Sequence, residues 1–355
     1  MPSSQIAPKN KKLVRVLSVD GGGIRGILPG QVLAALERKL QHKTGDKTVK
    51  VGDYFDFMAG TSTGGILTCA LMTPDPENPE KLKYSAKDAV EIYLENGGKI
   101  FATSTFRNIR TGGGLVEEKF ESDPIERILK EYFGDTKLSQ LNHPCLISSY
   151  DVERGKPHFF TQHKAKEFAA MDNHGYDFLV RDVARATSAA PTYFEAANFH
   201  SLSGVGYTLV DGGIFANNPT LCAYSSVRQI DFGEEKTFPN AAEMLIFSLG
   251  TGSSPKSYDF DTVKSWGALG WIKPLINIMM DGVSKTVHYQ LMQIFDAVQQ
   301  SENYLRIEPM LGDAESDMDN AKPDNLLHLR EAGIETAEKY DWELERLADK
   351  LIENA

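Results

Sequence analysis

Cysteine is scarce in this chain, and its three cysteines, Cys69, Cys145 and Cys222, lie far apart. Zinc sites and disulfide-rich domains use pairs of cysteines at short, regular spacings. No such spacing occurs here, and each cysteine has apolar or small neighbours. The pattern therefore predicts reduced core cysteines, as in a cytoplasmic protein, and it argues against a zinc site or a disulfide scaffold.

The sequence also lacks a long hydrophobic run. A membrane-spanning helix takes about 20 apolar residues, and the most apolar stretch, 268–280, is interrupted by Lys273 and Pro274. The lysines near the N-terminus are not followed by an apolar segment, so the sequence predicts no signal peptide. We expect a cytoplasmic protein that contacts a membrane only peripherally, at its inner face.

Positive charge is in the minority. The chain has 38 lysines and arginines against 49 aspartates and glutamates, a net charge of −11. Surfaces that bind DNA or RNA need clustered cations to neutralise phosphates, so we expect no nucleic-acid polymer as a partner. A local basic or apolar patch can still bind a bilayer, and the charge balance therefore leaves a lipid surface open.

A serine between two glycines follows an apolar run at residues 55–59. Ser62 lies within the pattern Gly60-x-Ser62-x-Gly64, and residues 66–72 continue with helix-compatible side chains. In such a strand-turn-helix elbow the glycines allow a tight turn that pushes the serine hydroxyl above the strand ends. The spacing predicts that Ser62 is a nucleophile. The alternative is a glycine-rich turn in which Ser62 only caps the next helix.

A second glycine-rich turn, residues 20–26, follows a predicted strand at 13–19 and precedes a predicted helix that ends near Gln41. Its glycine spacing formally satisfies the dinucleotide-binding fingerprint. That fingerprint expects an acidic residue at the end of the next strand, where this chain has the Ser62 elbow instead. The lysine and hydroxyl residue of a nucleoside-triphosphate loop are missing as well.

We therefore interpret this turn as an oxyanion hole. Successive glycines at a helix N-terminus can direct their N–H groups into one concavity, where they stabilise a tetrahedral intermediate. Gly22 and Gly23 are the expected donors. Arg25 is expected to hold the loop or to meet an anionic head group, and the alternative is an ordinary surface arginine.

The base for Ser62 is predicted to be Asp211, which follows the predicted strand 207–210 and precedes Gly212 and Gly213. The order strand, loop, helix, strand, loop, helix predicts an α/β fold with a parallel sheet, whose strand ends meet at one edge. We expect Ser62, Asp211 and the glycine loop at that edge of one parallel sheet. The alternative for Asp211 is a common Asp-Gly turn.

A histidine triad is the competing arrangement. In α/β-hydrolases the chain order is serine, acid, histidine, so that His288 or His328 would be the base. His288 lies in a helical pattern and His328 lies among leucines. A Ser-Asp dyad fits the sequence better, although it requires direct contact and desolvation to make the carboxylate an adequate base.

Together these motifs resemble the patatin-like phospholipase family. Residues 20–26 match its D-G-G-G-x-R-G loop, residues 60–64 its G-x-S-x-G elbow and residues 211–213 its D-G-[GA] motif. Residues 186–191 and 217–219 are similar to its segments on either side of the aspartate strand. The glycines that support these motifs are Gly21, Gly26, Gly60, Gly64, Gly212 and Gly213.

The resemblance implies a three-layer α/β/α sandwich with a mostly parallel central sheet. It implies hydrolysis of phospholipid acyl esters through an acyl-enzyme on Ser62, without a metal or another cofactor. We expect a flexible N-terminus at 1–12, a catalytic domain at 13–310 and a C-terminal helical extension at 311–355 packed on it. A soluble esterase or acyltransferase, or a catalytically silent binding or storage protein on the same scaffold, are the alternatives.

Control of the site is expected because an unregulated lipase would damage its own cell. Residues 100–120 are a candidate lid. The stand-alone plan also resembles bacterial phospholipase effectors of antiphage signalling, which implies a cyclic dinucleotide second messenger as activator. Candidates for an acyl-chain pocket or a membrane-facing helix are Trp266, Leu269, Trp271, Ile272, Leu275, Ile276, Ile278 and Met279. A buried helix that closes the sheet is the alternative for that segment.

Overall fold

The computed structural model describes residues 12–102, 119–233, 236–252 and 257–355. Within them the strands form one eight-stranded sheet in the order β5-β6-β3-β2-β1-β7-β8, with β4 paired to β3. The strands are β1 (Val14–Val19), β2 (Phe57–Thr61), β3 (Cys145–Asp151), β4 (Lys156–Phe160), β5 (Ala197–His200), β6 (Gly206–Asp211), β7 (Met244–Leu249) and β8 (Tyr304–Ile307).

Helices cover both faces of this sheet. In the described ranges they are α1 (Ile27–Thr44), α2 (Thr63–Met72), α3 (Ala86–Ile100), α4 (Asp123–Phe133), α5 (Gln162–Ala169), α6 (Val180–Thr187), α7 (Gly213–Ala216), α8 (Thr220–Val227), α9 (Phe260–Lys264), α10 (Ala268–Ala297), α11 (Pro323–Lys339) and α12 (Asp341–Glu353). None of the described helices is long and apolar enough to cross a membrane.

The core has two parts, one on each face of the sheet. Alternate residues of β1 point to opposite sides, so that Leu17 and Val19 pack with α1 and α2 whereas Val14 and Val16 pack with α8 and α10. Strands β3, β2, β1, β7 and β8 are parallel to their neighbours in that row. The expected three-layer α/β/α sandwich with a mostly parallel sheet is confirmed.

Asp211 ends a strand, β6, as expected. The expectation that this strand runs parallel to its neighbours in the sheet was wrong. Strand β6 runs antiparallel to β3, with Asp211 opposite Ser149, whereas β2 runs parallel to β3 with Thr61 opposite Ser148. Because β4 occupies the other edge of β3, β2 and β6 share one edge and approach it from opposite directions. Their carboxyl ends therefore meet end to end, which brings Ser62 and Asp211 together by a route that the sequence pattern did not indicate.

The C-terminal region contains two helices. Helix α11 ends at Lys339 and α12 begins at Asp341, with Tyr340 at the junction. Both pack against α1. The expected flexible N-terminus lies outside the described residues apart from position 12, as do positions 103–118 of the candidate lid. The domain division stays a prediction.

Candidate active site

Ser62 lies at the sharp turn between β2 and α2. Its backbone has φ 55° and ψ −124°, a conformation that non-glycine residues rarely adopt. The turn is held by a hydrogen bond of 2.8 Å from the Ser62 N–H to Thr187 Oγ1, which itself donates to the Ser148 carbonyl. Glycine is needed at position 64 because a Cβ there would lie 2.2 Å from the Val19 carbonyl oxygen.

This backbone strain predicts an unusual stability order. Replacing Ser62 with Gly relieves the positive φ, whereas Ser62→Ala keeps it, and both remove the hydroxyl. We expect Ser62→Gly to have the higher free energy of unfolding, by about 1 kcal/mol, in urea denaturation. At exposed Ser225 in α8 the order should reverse, since Ala favours a helix over Gly. The same order at both sites would contradict the prediction.

Asp211 is buried beside Ser62 and forms three polar contacts. Its N–H donates to the Ala189 carbonyl oxygen at 2.9 Å, and its Oδ1 accepts the Gly213 N–H at 2.7 Å. Its carboxylate also accepts a hydrogen bond from the Ser62 hydroxyl. Burial raises the pKa of Asp211 to about 7, against the lowering effect of the Ser62 and Gly213 hydrogen bonds. The carboxylate is thus a stronger base than an exposed aspartate.

The glycine loop is fixed from three sides. The Gly21 N–H donates to the Asn217 carbonyl oxygen at 3.0 Å, and the Gly21 carbonyl accepts from Thr251 Oγ1 at 2.7 Å. Ile24 N–H donates to the Met318 carbonyl oxygen at 2.8 Å. These contacts tie the loop to segments more than 190 residues away along the chain. The loop is therefore held rigidly, as an oxyanion hole requires.

Gly22 and Gly23 line the same cavity as Ser62 and Asp211. Neither N–H group donates a hydrogen bond to an acceptor among the described residues, although both flanking residues do. Gly23 has φ 61°, which turns the chain at the start of the short helical turn Gly23–Gly26. Two unused N–H groups beside a serine hydroxyl are the arrangement that an oxyanion needs.

Arg25 lies behind the loop and does not line the Ser62 cavity. Its Nε donates to the Gly22 carbonyl at 3.3 Å and its Nη1 donates to the Gly252 carbonyl at 2.9 Å. Burial lowers the pKa of this guanidinium, partly offset by the nearby Glu308. The geometry fits the expected loop-holding role, since these bonds leave the Gly22 N–H on the cavity side.

The cavity around Ser62 is apolar. The large side chains that line it are Ile24, Ile66, Tyr93, Ile100, Phe101, Ile125, Tyr193, Phe194, Ile214, Ile276, Met279, Met280 and Met318. Of the residues predicted for an acyl-chain pocket, Ile276 and Met279 therefore line it, whereas Trp271, Leu275 and Ile278 are partly exposed on α10. Trp266 packs edge-on against Trp271. The side chains of Leu269 and Ile272 lie outside the described part of the structure.

The family model for patatin-like phospholipases matches residues 17–224, which contain the glycine loop, the serine elbow and Asp211. The chain belongs to the patatin-like phospholipase family. Patatin-like protein 2 of Arabidopsis thaliana is 35% identical over 361 residues, which cover 95% of this chain and 86% of that protein. "Probable inactive patatin-3-Kuras 1" of Solanum tuberosum is 33% identical, with 91% and 86% covered. Family membership supports lipid acyl hydrolase chemistry in general.

Solved structures add a distant similarity. The crystal structure of VipD from Legionella pneumophila aligns with a TM-score of 0.38 at 9% identity, covering 92% of this chain and 66% of that chain. This value is too low to bear on function.

The first aspartate of the patatin glycine motif, Asp20, is buried and paired with an arginine that the sequence patterns did not single out. Arg306 Nη2 lies 2.8 Å from Asp20 Oδ2. Ser284 Oγ donates to the same carboxylate oxygen at 3.1 Å and accepts from Asn217 Nδ2 at 3.2 Å. Coulombic attraction to Asp20 and Glu308 raises the pKa of Arg306 despite its burial. In the sequence, Arg306 could have been noticed as a charged residue within the short apolar strand β8.

The histidines of the triad alternative do not line the patatin-like site. His288 Nδ1 lies 3.0 Å from the Tyr304 hydroxyl, and His328 is part of α11. Neither is among the described residues around Ser62. No group of three His, Cys, Asp or Glu side chains in the described ranges has the geometry of a metal site.

Proposed function

We propose that this chain is a phospholipase A-type acyl hydrolase that cleaves membrane phospholipids through a Ser62-Asp211 dyad. The observation that carries the proposal is a strained serine, hydrogen-bonded to a buried aspartate, at the base of an apolar cavity. Ester hydrolysis needs a nucleophile, a base and an oxyanion site within reach of one carbonyl group. An apolar cavity selects an acyl chain in preference to a sugar or a peptide.

In the proposed mechanism Ser62 Oγ attacks the ester carbonyl carbon while its proton passes to the Asp211 carboxylate. The N–H groups of Gly22 and Gly23 stabilise the oxyanion of the tetrahedral intermediate. The intermediate then collapses, the carbon–oxygen bond to the lysolipid breaks, and Asp211 returns the proton to the leaving alkoxide. Water then attacks the acyl carbon while Asp211 takes its proton. The bond between the acyl carbon and Ser62 Oγ breaks, Asp211 returns the proton to Ser62 Oγ, and the fatty acid is released.

The test is fatty-acid release from phospholipid vesicles and from short-chain soluble esters, with EDTA present. We expect the wild type to prefer the vesicles. A preference for soluble esters would favour the esterase or acyltransferase alternative. Inactivity toward both, in a folded protein, would favour the silent scaffold, a possibility that the name of the potato relative raises.

An apolar face on α10 is the proposed membrane contact. Trp271, Leu275, Ile278 and Met279, which we call the α10 apolar face, are spaced at helical intervals and are 37–46% exposed. Met279 also lines the Ser62 cavity, so this face is continuous with the entrance of the site. A lipid that leaves a bilayer here would reach Ser62 without crossing a polar surface.

We expect the double variant Leu275→Asp, Ile278→Asp to lower the rate on vesicles by about tenfold, because inserted apolar area is lost and two charges are added. Its rate on soluble esters should stay within about twofold. The matched control is Met310→Asp with Leu327→Asp, two exposed side chains that do not line the site. Equal losses on both substrates would show damage to the site and contradict a membrane role.

Activation by a cyclic dinucleotide, an antiviral role and a cytoplasmic location are further hypotheses, supported by the sequence resemblance described above. A panel of cyclic di- and trinucleotides should reveal one that raises the rate on vesicles well above the basal rate. Equal rates with and without every compound would count against nucleotide control and would leave the hydrolase proposal intact.

A further inference from the structure

The glycines of the oxyanion loop, residues 21–23, have no side chains with which to fix their own shape. Glycine has more backbone freedom than any other residue, whereas an oxyanion donor is useful only while its N–H group keeps one direction. The surroundings must therefore hold this loop, above all at its two ends, Asp20 and Arg25. One side chain, that of Arg306, is connected to both ends.

The first connection is direct. Arg306 lies in β8, opposite Ser248 of β7, and its guanidinium meets the Asp20 carboxylate with both terminal nitrogens. Nη1 lies 3.2 Å from Oδ1, and Nη2 lies 2.8 Å from Oδ2. The two side chains are only 5% and 3% exposed. A planar, paired contact of this kind fixes the direction of a carboxylate as well as its position, so it fixes the residue at which the loop begins.

The second connection runs through Glu308 to the segment that follows β7. Arg306 Nη2 also donates to Glu308 Oε2 at 2.5 Å, and Glu308 Oε1 accepts the Gly252 N–H at 3.0 Å. The Gly252 carbonyl in turn accepts from Arg25 Nη1 at 2.9 Å. Arg306 therefore supports the far end of the loop through two intermediate residues.

This supported segment holds the rear of the loop. Thr251 Oγ1 donates to the Gly21 carbonyl at 2.7 Å, and Arg25 Nε donates to the Gly22 carbonyl at 3.3 Å. In a trans peptide the carbonyl and the next N–H lie in one plane and point in opposite directions. Two carbonyls held at the rear therefore direct the two following N–H groups, those of Gly22 and Gly23, to the front.

We propose that Arg306 is a positioning residue for the oxyanion site, which holds both ends of the glycine loop and keeps the two donor N–H groups directed at the reacting carbonyl. The inference rests on the proposed acyl-ester hydrolysis. Arg306 is not among the residues that line the apolar cavity, so it acts through Asp20 and Glu308. Its terminal nitrogens form four hydrogen bonds, whereas a lysine has three donors and no planar fork.

The test compares Arg306→Lys and Arg306→Gln with the wild type on a soluble p-nitrophenyl hexanoate ester, which needs no bilayer contact. We expect kcat to fall about tenfold in Arg306→Lys and about 10²-fold in Arg306→Gln, the range for a misplaced or lost oxyanion donor. KM should stay within about twofold, because the cavity that binds the acyl chain is unchanged. The lysine variant keeps the positive charge beside Asp20 and isolates the geometry.

A trifluoromethyl ketone with a hexyl chain gives a second readout. Ser62 Oγ bonds to the ketone carbon, the serine proton passes to Asp211, and the carbonyl oxygen becomes an oxyanion in the same site as that of the intermediate. Its inhibition constant should rise in proportion to the loss of kcat. The inhibition constant of the matching secondary alcohol, which forms no oxyanion, should stay within about twofold.

Arg15 provides the matched control. Its side chain is 7% exposed, and its Nε and Nη2 donate to the Asp56 carboxylate at 2.9 and 2.8 Å. It lies near the opposite end of β1, about 16 Å from Asp20 along the strand. Arg15→Lys and Arg15→Gln should lower stability to urea, as the Arg306 variants do, yet leave kcat and both inhibition constants within about twofold.

A double-mutant cycle tests whether Arg306 acts through Asp20. Asp20→Asn should lower kcat about tenfold, because it weakens one of the two connections. The double variant Asp20→Asn, Arg306→Gln should be no slower than Arg306→Gln alone, since both changes damage one network. Losses that multiply would show independent roles and overturn the inference.

The remaining outcomes separate this inference from the proposed function. A wild-type kcat in Arg306→Gln, equal losses in the Arg15 variants, or an equal weakening of the alcohol would overturn the positioning role and leave the hydrolase standing. A wild type that hydrolyses neither the ester nor phospholipid vesicles would overturn the proposed function, and the positioning role with it.

Discussion

Ser62→Ala is expected to lower fatty-acid release from phospholipid vesicles by at least about 10⁴-fold, the typical scale for loss of a serine nucleophile. The Ser62 hydroxyl is the nucleophile of the proposed dyad, and its turn is held by Thr187 whatever side chain occupies position 62. The variant should therefore fold and bind lipid but form no acyl-enzyme. Residual turnover would measure what the oxyanion site and substrate binding contribute on their own.

A fluorophosphonate probe gives a second readout of the same prediction. It should label the wild type at Ser62 and fail to label Ser62→Ala, because labelling requires an activated serine. Ser225→Ala, at an exposed position of α8, is the control and should behave as the wild type in both assays. Substantial turnover by Ser62→Ala, or labelling at another residue, would contradict the assignment of the nucleophile.

The parts of the fold that the sequence predicted well are those with local signals. Buried β-branched or apolar runs that end in glycine predicted β1 and β2, and the helices that follow them. In each case the information lies within about ten neighbouring residues.

The direction of β6 was not predictable in this way. Its alternating pattern is the same whether it runs parallel or antiparallel to β3, because the side-chain period is two in both cases. The direction depends on the pairing of Asp211 with Ser149 in β3, which is remote in sequence. The motif placed Asp211 at a strand end correctly, but only the topology explains why that end faces Ser62.

The supporting residues of the site were missed for a related reason. Arg306 pairs with Asp20 across 286 positions of the chain, and Ser284 contacts it across 264. Met318 holds the glycine loop through its backbone carbonyl, an interaction that no side-chain pattern can reveal. Motifs identify the groups that react, whereas the groups that hold them are chosen by packing and leave little trace in local sequence.

Asp211→Asn is expected to lower kcat/KM by about 10³- to 10⁴-fold, the range for losing a general base or triad member. The amide cannot accept the Ser62 proton, although it can still accept the Gly213 N–H. Because burial raises the pKa of Asp211 to about 7, the wild-type kcat/KM should rise tenfold per pH unit up to about pH 7 and then level off. The residual kcat/KM of Asp211→Asn should not show this rise with pH.

The same variant should be more stable than the wild type at alkaline pH. The pKa of Asp211 is about 7 in the folded chain and near the ordinary value of 3.8 when unfolded, so the folded state holds a proton that the unfolded state has lost. Stability from this group is complete below about pH 4 and is lost as pH rises through 7. Each unit of difference between the folded and the unfolded pKa corresponds to about 1.4 kcal/mol of stability. Asn at position 211 carries no charge, so the variant does not lose this stability at high pH.

We therefore expect the free energy of unfolding of Asp211→Asn to exceed that of the wild type by about 2–4 kcal/mol at pH 8, with the difference shrinking toward pH 4. Urea denaturation across this pH range measures it, and Asp313→Asn, at an exposed position, should show no such trend. Equal stability at pH 8 would mean that Asp211 ionises as an ordinary carboxylate. A gain in stability with a loss of activity would show that the buried charge is maintained for chemistry, at a cost to the fold.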